Sequence, residues 1–179
     1  MSGGKKRSAW AETPTPALVA QGIREVFQGP AWHGPTVRSA LRGVTWREAS
    51  WRPAPGRNTI WDLVLHLAYV RHRMMGRVAV LTARGRSSFP RKLASSWFPE
   101  LPGRCDAAAW RGDLELLEAY QERLLDTLAD VDPAVLTRRR KGADRPLGAE
   151  LMGVAFHDAY HAGQIKLLAK LAREALESV

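Results

Sequence analysis

The sequence predicts an all-α protein, a four-helix bundle with one or two long crossover loops. Three observations carry that expectation. Four long segments repeat apolar residues at helical spacing, capping chemistry stands at their starts, and Gly- and Pro-broken stretches separate them. No alternating strand pattern and no internal repeat competes with the helical reading.

Residues 1–14 lack a periodic apolar pattern and read as a flexible basic tail holding Lys5, Lys6 and Arg7, so the bundle domain is expected over 15–179. Thr13-Pro14-Thr15-Pro16 combines a Thr cap with a first-turn proline, which predicts a helix from about Pro16 to Gln28 that stops at Gly29-Pro30. Thr36 caps a short helix closing at Gly43, and TWRE from Thr45 to Glu48 is a capping box starting another turn. NTIWD places Asn58 as cap and Asp62 in the first turn of a second long helix, about Thr59 to Ala83. Its first half is apolar nearly all round, which makes it central.

A long connection with Pro90, Pro99 and Pro102 follows; such connections are functional or are packed by their own aromatics, here Phe89, Trp97 and Phe98. The third long helix spans about Ala107 to Ala129 and the last about Gly148 to Leu176, with the basic stretch VLTRRRKGADRPLG expected as a plain connection between them.

Composition narrows the function classes. The net charge of +9 and pI near 10.4 raise the question of nucleic acid, but the excess sits in the tail and at Arg138, Arg139, Arg140, Lys141 and Arg145. No nucleic-acid recognition motif accompanies it, so no specific nucleic-acid partner is expected. A single cysteine, Cys105, excludes an intrachain disulfide framework and Cys-rich zinc modules, in keeping with a reducing cytoplasm. No apolar run reaches the roughly 18 residues of a membrane span, and the start lacks the apolar core of a signal peptide. The expectation is a soluble, cytoplasmic protein that does not engage a membrane.

The chemistry resides in the histidines. His157 and His161, at i and i+4 in the last helix, lie about 40° apart around its axis and can converge on one ion. His66 interrupts the apolar second helix. A lone histidine there has an ordinary alternative, a core residue hydrogen-bonded to backbone, and i, i+4 pairs also arise by chance. Together they point to three ligands with one open position, the arrangement of a catalytic metal site.

Several neighbours are candidates for the surrounding pocket. Gln164 continues the His157/His161 face, and Gly163 would let a helix approach closely there. Asp158 and Tyr160 are candidates to orient a ligand imidazole through its second nitrogen, as is Asp62, one turn before His66, although a dipole-matched cap role also explains Asp62. His33, in AWHGP, sits in a turn that could reach the pocket mouth. His72 is rotated about 240° from His66 and is expected on the surface. Cys105 is assigned no role.

TIWDLVLHLAYV in the second helix, followed by HDAYHAGQIKLL in the last, resembles the DinB-like family of damage-inducible and YfiT-type metalloenzymes, over roughly Leu18 to Leu171. The resemblance implies an up-down-down-up bundle, often a homodimer, with a divalent metal held by His66, His157 and His161. It also implies metal-dependent thiol S-transfer as an activity known among relatives.

Two classes of function follow. One is a divalent-metal-dependent transferase (zinc, nickel or iron) acting on a small-molecule substrate with a low-molecular-weight thiol, with a metal-dependent hydrolase as its nearest variant. The other is a non-catalytic metal- or ligand-binding stress-response protein. The basic Arg138 to Arg145 segment is either an attractor for an anionic thiol or a solvated loop.

Overall fold

The computed structural model describes residues 14–83, 85 and 87–178; the expected basic tail lies outside these except for Pro14. Helices occupy most of that chain: α1 (Pro16–Gln28), α2 (Val37–Leu41), α3 (Trp46–Ser50), α4 (Ile60–Thr82), α5 (Ala107–Ala129), α6 (Pro133–Leu136) and α7 (Leu147–Glu177). The described residues contain no strand, only an isolated antiparallel bridge between Leu93 and Pro99. The protein is all-α.

Local chemistry sets most helix boundaries. Thr15 accepts from Leu18 N ahead of Pro16, Asp106 accepts from Ala108 and Ala109 N, and Thr45 and Glu48 form the expected capping box. At α4 the cap is Thr59 rather than Asn58. Thr59 Oγ1 accepts from Asp62 N at 3.0 Å while the Asp62 carboxylate accepts from Thr59 N at 2.8 Å, a reciprocal pair that Asn58 and Trp61 could not make. The connection expected over 135–148 begins inside α6, whose Asp132 cap and Pro133 follow the same rule.

The core consists of two apolar clusters stacked along the helix axes. One gathers Trp61, Leu65, Trp110, Leu117 and Ile165; the other gathers Ile23, Met74, Leu124, Leu128 and Leu151. Between them lies a belt of buried polar side chains, His66 and Arg71 from α4, Gln121 from α5, and Asp158 and His161 from α7. Buried polar groups need partners, and here most find one another, Gln121 Oε1 accepting from Arg71 while its Nε2 has no partner.

Long-range contacts tie the long helices together. Trp61 donates to Asp113 and Arg71 to Gln121 between α4 and α5, while Arg71 meets Asp158 and Arg77 meets Glu150 between α4 and α7. Gly22 of α1 packs against Met152 and Ala155 of α7, where a Cβ would still have ordinary van der Waals room. Gly163 was expected to permit such an approach, but it is exposed and a Cβ there would meet open space. The inward neighbour on that turn is the buried Ala162.

Candidate metal centre

Three imidazoles from two helices meet in the polar belt. His66 Nε2 lies 2.9 Å from His157 Nε2, which lies 3.1 Å from His161 Nε2. Nitrogens bound to one tetrahedral ion at about 2.05 Å would stand about 3.3 Å apart, so the observed cluster is near the spacing of a three-histidine site. The grouping is one that could hold a metal ion.

Outer contacts determine which ring nitrogen is available. His66 Nδ1 lies 2.8 Å from the Trp97 carbonyl oxygen and His161 Nδ1 lies 2.7 Å from Gln164 Oε1. Each acceptor takes the Nδ1 proton, which leaves both Nε2 atoms as lone-pair donors toward the cluster. His157 Nε2 faces both, and a single proton there can satisfy only one. A cation satisfies all three. His157 Nδ1 is buried without a hydrogen-bond partner and stands 3.9 Å from Asp158 Oδ1, a carboxylate that favours the proton on that nitrogen and so frees Nε2. The residues present therefore fit a divalent ion.

Electrostatics favour the neutral, ligating form. Burial pulls His66 below its ordinary value, with the Trp97 carbonyl opposing. Burial lowers His161 to about 4, and His157 adds to that effect.

The long α4–α5 connection contributes directly to the site. Besides the Trp97 carbonyl, the Phe98 ring stacks on His66 at 4.5 Å between centroids, and Arg91 binds the buried Asp113 to pin the connection on α5. A cavity of about 290 Å³ adjoins the cluster, lined by His66 and His157, by the apolar Val70, Met74 and Val154, and by Arg77 and Glu150 at its polar end.

A family model for the DinB superfamily matches residues 32–165, most of the chain. The chain belongs to the DinB superfamily. No curated protein and no solved structure matches it. The matched stretch of this DinB chain contains all three histidines and ends just beyond Gln164.

The other candidates divide. Gln164 holds His161, and Tyr160, itself exposed, accepts from Gln164 Nε2 at 2.9 Å and packs edge-on against the His161 ring with centroids 5.1 Å apart. Asp158 does not hydrogen-bond an imidazole. It is fully buried in a bidentate pair with Arg71, because a carboxylate inside the core needs a cation and Arg71 is beside it. Asp62 is taken by the α4 cap and by Arg52, and does not touch His66. His33 is exposed beside Trp32 and is absent from the cavity wall. His72, expected on the surface, is half-buried among Tyr69, Phe89 and Tyr120, since the α4–α5 connection folds over that side of α4. Arg71 and the Trp97 carbonyl escape sequence reasoning. Arg71, one of three arginines in α4, directly follows its largely apolar first half, and that was a visible signal; a backbone acceptor leaves none.

Proposed function

We propose that this DinB superfamily protein is a divalent-metal-dependent enzyme of the thiol S-transferase type, with His66, His157 and His161 as its ligands. The observation that carries this reading is the convergence of three Nε2 atoms beside an apolar cavity, two of them presented as lone pairs by fixed Nδ1 partners. A zinc, nickel or iron ion there would lower the pKa of a bound thiol and supply a thiolate. The protein's own part is to keep His66 and His161 neutral, to aim the three imidazoles, and to offer a small apolar wall with a polar end at Arg77 and Glu150. Sulfur would then form a bond to the electrophilic carbon of the substrate, displacing its leaving group, while the thiol proton passes to solvent.

We propose with it an up-down-down-up four-helix bundle over 15–179. Trp61–Asp113 and Arg71–Gln121 advance in step along α4 and α5, which supports parallel neighbours; Arg71–Asp158 and Arg77–Glu150 advance oppositely along α4 and α7. The 83–106 connection is long enough to recross the bundle. We also propose an isologous homodimer through the outer face of α7 and, from the lone free Cys105, a cytoplasmic setting. No helix among the described residues is long and apolar enough to cross a membrane.

The test is a thiol and electrophile panel run on protein loaded separately with zinc, nickel and iron. Metal-dependent thioether formation that survives Cys105→Ala and disappears in His161→Ala supports the assignment. Activity that persists after chelation and in His161→Ala removes it.

A further inference from the structure

A second cavity, of about 700 Å³, lies between α4, α5, the start of the α4–α5 connection at Gly85 and Ser87, and the α6–α7 connection. Its wall carries five cations, Arg73, Arg77, Arg123, Arg140 and Lys141, and no carboxylate among its described lining residues. Compensation for these charges is thin. Glu150, on the neighbouring metal-side cavity, is shared by Arg77 at 3.5 Å and Arg140 at 2.8 Å. Arg73 lies over the rings of Tyr69 and Trp97, and Arg123 over Tyr120, contacts that hold guanidinium groups in place without cancelling their charge. Burial pushes Arg77 below its ordinary value; Glu150 opposes this, and Arg140 and Arg73 add to it. Those cations repel one another.

An independent sign of a missing polar partner lies on the same wall. His72 Nδ1 is buried and makes no hydrogen bond, although its ring is held beside Tyr69 and Tyr120. Orphaned buried nitrogens are rare because each forfeits its hydration. A ligand oxygen or bridging water in the cavity would serve it.

We propose that this groove, which shares Arg77 with the metal-side cavity but none of the three histidines, is a second binding site for a small molecule bearing a di- or polyphosphate. Arginine forks match pairs of phosphate oxygens, and four arginines with a lysine exceed what a single carboxylate would neutralise. The volume falls within the roughly 300–1,000 Å³ of small-ligand sites. The cations also converge on one cavity instead of following an extended stripe, which fits a compact phosphate ester better than a nucleic-acid backbone.

The experiment is calorimetric titration of the full chain with inorganic pyrophosphate and with adenosine diphosphate, at low and raised salt, with and without bound zinc. Saturable binding by both probes is expected, independent of zinc and weakened by salt. Arg123→Gln and Lys141→Gln should each weaken it about tenfold, the scale of one charge-assisted hydrogen bond, while Arg24→Gln leaves it unchanged. Lys141 is exposed, so its variant carries the test should Arg123→Gln fail to fold. Absence of saturable binding would overturn the proposal, as would binding by both groove variants as tight as by the parent protein. Loss of binding in His157→Ala would place the phosphate on the metal centre instead. Oligonucleotide binding that pyrophosphate fails to displace would reassign the surface to nucleic acid.

Discussion

Gln164 illustrates how much one outer contact decides at the residue scale. Its Oε1 fixes the His161 ring through Nδ1, and Tyr160 in turn holds its amide. Removing such a partner commonly lowers metal affinity about 10- to 100-fold. Gln164→Ala should show that loss in a competitive chelator titration, with a smaller change for Tyr160→Phe; equal affinity in Gln164→Ala and the parent would sink the assigned role. His66 and His161 set a pH dependence in the metal-free protein. Their folded-state values lie below the ordinary 6.5, His161 at about 4, so the unfolded chain takes up protons before the folded one does. Stability is therefore complete above about pH 6.5 and falls as the pH drops toward 4, by about 1–3 kcal/mol. Urea midpoints at pH 7.5 and 5 check this, and His161→Phe should flatten the difference. A midpoint that rises on acidification contradicts it.

At the scale of the elements, the pairing of α4 with α7 depends on an ion pair that water never reaches. Arg71 and Asp158 both have 0% side-chain exposure, and Arg71 is further satisfied by Gln121 Oε1 and the Leu67 carbonyl. A buried pair adds little net stability over an apolar one, yet breaking it leaves a bare charge in the core. Arg71→Met alone should therefore cost about 3–5 kcal/mol in urea unfolding, and Arg71→Met combined with Asp158→Leu should recover most of that. Equal losses in the single and double variants would show that the residual Asp158 charge is not the cause. Because Asp158 directly follows His157, the pair also locks the register in which His66 and His157 meet.

For the whole molecule, the surface of α7 is the outstanding feature. Phe156, Tyr160 and Leu167 are 71%, 64% and 60% exposed, and with the exposed Leu171 they form one stripe at helical spacing. Gly163 lies within that stripe with open space over it, so a second helix can approach closely. The homodimer proposed above is expected to use this face, and Leu167→Glu should convert it to monomer in sedimentation velocity without altering the helical content. A parent protein that sediments only as monomer at micromolar concentration removes the dimer. Tyr160 belongs both to this stripe and to the chain of contacts ending at His161, so Leu167→Glu should also weaken zinc binding slightly.

Helices α1, α4, α5 and α7 were legible to within about a residue because apolar spacing, Thr and Asp caps and Pro or Gly stops act over three or four positions of the chain. The sequence by itself also determined the His157/His161 pairing, which is a property of one helix, and it singled out His66 as a polar residue in an apolar face. What only the tertiary structure decided is everything that depends on chain segments meeting from afar. His66 finds Trp97 31 residues away and His157 91 residues away, and Arg71 finds Asp158 across 87. Asp158, read from its place on the helix as an imidazole partner, was claimed by that arginine, and His72 was covered by the α4–α5 connection. Local periodicity states which face of a helix turns inward; which charge or carbonyl waits there is determined by packing, because a buried polar group takes whichever partner the neighbouring helices bring within reach.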